Sequence, residues 1–274
     1  MSQFEQKDRI LPITRIVAAI VVPFLILAFV ILYFYPERSG EWFAWEIKPS
    51  MTAMFMGAGY IGGAWLFINV IFGKQWHRVA PGFFPVTAFT TVMLATTALH
   101  WDRFNITNFA FILWLGLYII TPFLVPFLWF LNRSADTEIP DSEDLVVPKI
   151  ARTGLLLVGI VMLIFAIVAF ANPKWITNIW PWQLSPLTAR VMSGWFSLLG
   201  VGGVVISSDI RWSAWKVGLQ SIGFWHLLVL IAAFVRKADF PRGLGNWYLF
   251  SVAIVIVGML VLYIKMERQS LDVN

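Results

Sequence analysis

Few side chains in this sequence could do chemistry, and most of them stand near the ends of long apolar runs. Arg190 lies four residues into the run that begins at Pro186, about 6 Å along a helix axis at ~1.5 Å per residue. At that depth its stem can carry the guanidinium back to the headgroups. Two features resist that simple role. A cation near a helix N-terminus opposes the helix dipole, and the matching position of the first half is Ala53. The acids placed to pair with Arg190 are Glu46, Asp102 and Asp239. Glu46 stands where the second half has Gln183. The expectation is therefore a Glu46–Arg190 ion pair, or an anion site made by Arg190 with Lys48.

Three histidines complete the set. His77 falls in a loop and is expected to be solvated. His100 ends the third apolar run beside Asp102 and Arg103, and His226 lies mid-run beside Trp225. An imidazole at such a place can ligate haem or chlorophyll or relay protons, or it can simply bond a local partner. His226 and His100 differ in depth by about 15 Å, so they cannot share one haem. No helix carries two histidines one turn apart, which speaks against zinc. There is no cysteine, which excludes disulfides, thiolate metal sites and cysteine nucleophiles. A Walker A loop, a GxSxG elbow and a mid-membrane carboxylate are also absent, and ion-coupled pumps rely on the last of these. No catalytic or metal-binding residue is assigned and no cofactor is expected, with haem or chlorophyll at His226 left open.

The elements that position these groups are membrane helices. The chain has 274 residues, 59% hydrophobic and 13% charged, with a mean hydropathy of +0.77. Soluble domains carry about a quarter charged residues, whereas a bilayer core asks for ~20 apolar residues per helix. The ~10-residue alternation of a β-barrel is missing. The net charge of +5 is spread over short loops, so no basic run points to nucleic acid. The first apolar stretch, residues 17–35, is too long for a signal-peptide core and reads as a retained helix. Eight spans are expected, at 14–35, 49–72, 82–100, 107–131, 153–171, 186–207, 213–235 and 244–266. Pro49, Pro81 and Pro186 fit helix starts, while Pro23, Pro122 and Pro126 fall inside spans and predict kinks.

One connection has soluble character. Residues 132–149, NRSADTEIPDSEDLVVPK, hold five acids and read as a flexible linker on the cytoplasmic side. They separate a first four-helix unit, 1–131, from a second, 150–274. The halves align without gaps over 43–63 and 180–200. Trp45 matches Trp182, Pro49 matches Pro186, Gly57 matches Gly194 and Gly63 matches Gly200. Four spans per half keep the orientation. The fold expected is an all-α integral membrane protein of eight transmembrane helices, built as two parallel four-helix repeats related by a pseudo-twofold along the membrane normal. Glycine-rich stretches in the second and sixth spans predict that these two meet near that axis. The run Pro186-Leu187-Thr188-Ala189-Arg190, followed by a Gly-rich span, resembles small bacterial four-helix membrane proteins of the DoxX-like kind. The resemblance covers about one segment per half, and the first half has Pro49-Ser50-Met51-Thr52-Ala53 instead. It implies no activity and no site residue.

Loop Lys and Arg number twelve on the N-terminal side and eight on the other, which favours both termini in the cytoplasm of a bacterial cell. The cluster at 236–243, RKADFPRG, argues the other way. Tryptophans before the second and sixth spans (Trp42, Trp45, Trp175, Trp180, Trp182) suit an aromatic belt or a lid over an outer vestibule. Three functions follow. One is small-molecule or lipid binding of a transporter-like kind, in an outer vestibule lined by Glu46, Lys48, His100, Asp102, Arg190, Trp45 and Trp182. Another is a non-catalytic structural or assembly subunit, with a membrane-protein partner or a homo-oligomer. The third is a cofactor-binding membrane enzyme centred on His226 or His100.

Overall fold

The computed structural model describes residues 8–136 and 144–273, so 137–143 of the acidic linker lie outside the described residues. Eight helices are long and apolar enough to cross a membrane. They are α1 (Pro12–Phe34), α2 (Ser50–Phe72), α3 (Ala80–Leu99), α4 (Phe109–Ala135), α5 (Lys149–Ala171), α6 (Pro186–Ser208), α7 (Trp212–Val235) and α8 (Trp247–Ser270). Every boundary falls within four residues of its sequence expectation. Length and hydropathy suffice for this, because a backbone in hydrocarbon must satisfy its own hydrogen bonds.

Local chemistry sets the helix ends. Ser185 and Thr188 form a reciprocal capping box at the start of α6, with Pro186 in the first helical position. Asn108 caps α4 by accepting the Ala110 N–H at 2.9 Å. Pro49 leaves α2 with no side-chain cap of its own. That deficit is met from the other half of the chain, where the Asp239 carboxylate accepts the Met51 N–H at 2.8 Å. Helices α1 and α4 run on through Pro23, Pro122 and Pro126.

The helices pack in two rows. α1 rests on α2, α2 on α7 and α7 on α8, while α4 rests on α3, α3 on α6 and α6 on α5. The second helix of each half thus packs against the third helix of the other. Buried share separates the centre from the flanks. It is 61% for α2 and 56% for α6, against 17% for both α5 and α8. The end of the bundle where α1 begins is called proximal below, and the opposite end distal.

The glycines of α2 and α6 do not bring these two backbones together as expected. A Cβ on Gly57 would meet the backbone of Tyr33 in α1, and one on Gly62 the Ser221 carbonyl of α7 at 2.7 Å. Gly203 and Gly159 put α6 and α5 in close contact, with a Gly203 Cβ only 2.8 Å from the Gly159 Cα. Between α2 and α6 stands a single ring. A Cβ on Gly59 would lie 2.5 Å from the Trp195 indole. The indole fills the space the glycine vacates, which keeps the two central backbones apart.

Gly159→Ala forces its methyl against the Val204 N and Gly200 O of α6, at 2.8 and 2.9 Å. Overpacking of this kind costs ~1–3 kcal/mol, so the melting temperature in detergent falls. Gly116→Ala in α4 meets nothing within 4 Å and leaves the melting temperature unchanged or raised. Equal effects of the two changes would contradict the packing described.

Candidate functional site

The distal end holds the residues singled out in the sequence, in separate places. Arg190 bonds neither Glu46 nor Lys48. Its Nε donates to the Phe170 carbonyl at 3.1 Å and its Nη1 to His100 Nε2 at 2.8 Å. Phe170 is in the last turn of α5, and His100 follows the last residue of α3. The cation near the start of α6 therefore serves the C-terminal ends of two neighbouring helices, where a positive charge is favoured. Glu46 pairs with Lys48 at 2.6 Å, and Asp102 with Arg103 at 3.3 Å, all four exposed. The expected Glu46–Arg190 ion pair is not formed, because Glu46 has a nearer cation two residues along its own loop. Trp45 is buried edge-on against Trp114 and Phe104. Trp182 is buried and donates its indole N–H to Thr52 Oγ1 at 2.8 Å.

An Arg donor requires His100 Nε2 to be an acceptor, so this imidazole is neutral. Burial depresses its pKa first and the Arg190 charge depresses it further. Asp102 opposes the shift and Arg103 adds to it.

The proximal end carries a network that the sequence does not announce. His77 is buried, where a solvated loop residue was expected. Its Nδ1 bonds the Asp8 carboxylate, and its Nε2 lies 2.8 Å from Ser213 Oγ. The Ser213 hydroxyl donates in turn to Asp144. Arg211 binds Asp136 through two parallel bonds of 2.8 and 2.9 Å, and also binds Asp209. Asp136 and Asp144 flank the undescribed part of the linker, so both of its ends are tied to the loop that starts α7. Trp212 N–H to the Leu145 carbonyl and Val147 N–H to the Ile210 carbonyl complete the seam. His77, Ser213 and Asp8 are too far apart in sequence for spacing to reveal their contact. Asp144 reads as one acid among five.

A cavity of about 480 Å³ lies between the second half and parts of the first. Residues of α5, α6, α7 and α8 line most of it, Gly59, Gly62 and Gly63 bring in α2, and Pro81, Gly82 and Pro85 bring in the start of α3. On α8 the lining runs from Trp247 to Leu262 and on α5 from Ala151 to Phe165. At ~1.5 Å per residue this is about 22 Å, most of a bilayer core. Arg78, exposed at the proximal end, is the only charged lining residue among the described residues.

Three lining side chains near mid-depth have polar atoms without a protein partner. The Trp195 indole N–H and the Ser221 hydroxyl are buried and unbonded. His226 is also buried. Its Nδ1–H donates to the Ile222 carbonyl at 2.9 Å, which leaves Nε2 as a bare acceptor. Trp225 joins the group, with ring centroids 5.1 Å from Trp195 and 5.5 Å from His226. Of the eight residues drawn from the sequence, His226 lines this cavity. Glu46, Lys48, His100, Asp102, Arg190, Trp45 and Trp182 do not.

No protein-family model, curated protein or solved structure matches this chain.

The ordinary histidine pKa is about 6.5. The folded value for His100 lies lower, so its contribution to stability is full above that pH and is lost as pH falls through the depressed value. The melting temperature of the wild type, followed from pH 7.5 to 5.5, is expected to drop more steeply than that of His100→Gln. Parallel profiles would show that His100 is not held neutral.

Proposed function

We propose that this multi-pass membrane protein binds a membrane-soluble small molecule or lipid in the cavity between α5 and α8. The observation that carries the reading is the cavity itself: an almost wholly apolar space of about 480 Å³ that runs about 22 Å along α5 and α8, with His226 on its wall. A space of that size and lining suits the apolar body of a membrane-soluble molecule. The His226 Nδ1–H is committed to Ile222, which leaves Nε2 as an acceptor.

The halves support the reading by how they differ. We take them as parallel repeats. Arg15 donates to the Ile71 and Gly73 carbonyls at the end of α2. Arg152, at the same offset of 137 as Trp45 and Trp182, donates to Ser207 at the end of α6. The two flanks of the bundle are not alike. On the first-half flank, Asn132 of α4 donates to Thr14 of α1 at 2.6 Å. Ala18, Val22, Val125 and Leu128 fill the space beside them. On the second-half flank, α5 and α8 face each other across the cavity. One repeat is closed by its own side chains and the other leaves room for a guest. The excess of loop Lys and Arg supports a cytoplasmic proximal end in a bacterial membrane.

Gly258 of α8 lines the cavity and has nothing within 4 Å of where its Cβ would be. Gly258→Phe places a ring at this point of the wall, and its Cβ meets nothing within 4 Å. Native mass spectrometry of protein extracted in mild detergent should show one added mass on the wild type, at least tenfold less occupied in Gly258→Phe at unchanged melting temperature. A bare wild type that also fails to take up added lipid would refute the proposal. An added mass with visible absorbance would instead make His226 a pigment ligand.

A further inference from the structure

The two ends of the cavity differ in chemistry, and the difference points to one kind of guest. We infer that the cavity holds a long-chain fatty acid, with its alkyl chain along the space between α5 and α8 and its carboxylate at Arg78. This rests on the cavity-binding reading above and names the ligand class.

The distal end is capped by rings. Phe165 of α5, Phe196 of α6 and Tyr248 of α8 all line the cavity. Trp180 gathers them, with ring centroids 6.4, 5.6 and 4.7 Å away. This cap gives the end of an alkyl chain an apolar stop and carries no charge.

The proximal end carries a cation. Arg78 precedes the start of α3 by two residues and lines the cavity together with Ala151, Ile206 and Ala214, each two residues from the proximal end of its helix. Other proximal cations are already engaged. Arg211 is held by Asp136 and Asp209, Lys216 by Glu267, and Arg15 and Arg152 by carbonyls at helix ends. Arg78 is exposed and has no ion pair or hydrogen bond among the described residues. No acid among the described residues lines the cavity. A free guanidinium binds a carboxylate through two parallel N–H···O bonds, and the single charges match.

Charge also fixes the orientation. A carboxylate at mid-depth or under the distal cap would meet no cation, and unpaired charge in a membrane interior is strongly disfavoured. The head is therefore proximal and the chain runs distally. The length of about 22 Å exceeds the ~15 Å that the chains of one leaflet occupy in a bilayer core of ~30 Å, so an ordinary membrane chain lies wholly inside.

The test uses the full-length protein in detergent micelles at pH 8, where a carboxyl group is ionised. Octadecanoic acid and octadecanol, each brominated at mid-chain, are titrated in. Saturable quenching of tryptophan fluorescence reads binding, since Trp195 and Trp225 line the cavity. The acid should bind about tenfold more tightly than the alcohol, the scale of one charge-assisted hydrogen bond. Arg78→Gln should remove that preference and keep the affinity for the alcohol, which shows that the variant is folded. Arg78→Lys should restore part of the preference. Gly258→Phe should weaken both compounds at least tenfold, because it obstructs the chain and not the head. Undiminished binding of the acid to that variant would put it outside the cavity and overturn the proposal. Equal affinities for acid and alcohol in the wild type would overturn carboxylate recognition and leave the binding function standing. Absence of saturable quenching by either compound would overturn both. Displacement of the acid by phosphatidylglycerol and not by hexadecanoate would replace the carboxylate with a lipid phosphate.

Discussion

Trp195 stands between the two central helices with its ring seated over Gly59, and the rest of the bundle is arranged around that contact. The indole meets Phe89 of α3 at a centroid distance of 4.3 Å, Trp225 of α7 at 5.1 Å and Tyr60 of α2 at 5.2 Å. It thereby links the two rows of helices at mid-depth. Hydrophobicity does not drive helices together within lipid, so close packing and hydrogen bonds must do so. A large rigid ring received by a glycine gives dense contact at one point and separates the backbones around it. That separation leaves α2 and α6 free to pack their small residues elsewhere, against α1 and α7 on one side and α5 and α3 on the other.

The ends of the bundle solve a different problem. The last carbonyls of each helix have no partner within the helix, and three arginines meet that need. Arg15 serves α2, Arg152 serves α6 and Arg190 serves α5. Each reaches from near the start of one helix to the end of a neighbour, so the dipole cost on its own helix is offset by the gain at the next. The proximal loops are bound still more tightly, because Arg211, buried itself, is matched by two carboxylates. Breaking such a pair strands a buried charge. The described ends of the acidic linker are therefore part of the proximal surface, holding the start of α5 beside the start of α7.

Spans and several helix starts were legible in the sequence because they depend on local composition: twenty apolar residues and a Pro at a helix start. Partners were not. Arg190 appeared misplaced because its own helix was visible and the ends of α3 and α5 were not. His77 looked like a loop histidine because Asp8, Ser213 and Asp144 are remote in sequence. The glycine runs were ambiguous in principle, since a missing side chain permits either a close approach, as at Gly203, or an open space, as at Gly258. His226 stood out as an isolated polar residue, but the cavity beside it is made by what several helices lack, and no single segment encodes that.

The space of about 480 Å³ is partly open rather than sealed, so surrounding molecules can enter it. Water is a poor occupant, because the wall is almost wholly apolar and a buried water needs two to four polar partners. The first-half flank shows that the same architecture can be closed with Ala18, Val22, Val125 and Leu128. The second flank is lined instead by Gly154, Gly202, Gly218 and Gly258, whose missing side chains leave the space that Ala18, Val22, Val125 and Leu128 fill on the first. On its wall His226, with Nδ1–H given to the Ile222 carbonyl, keeps Nε2 as an acceptor, which is the polar feature that distinguishes this flank from the closed one.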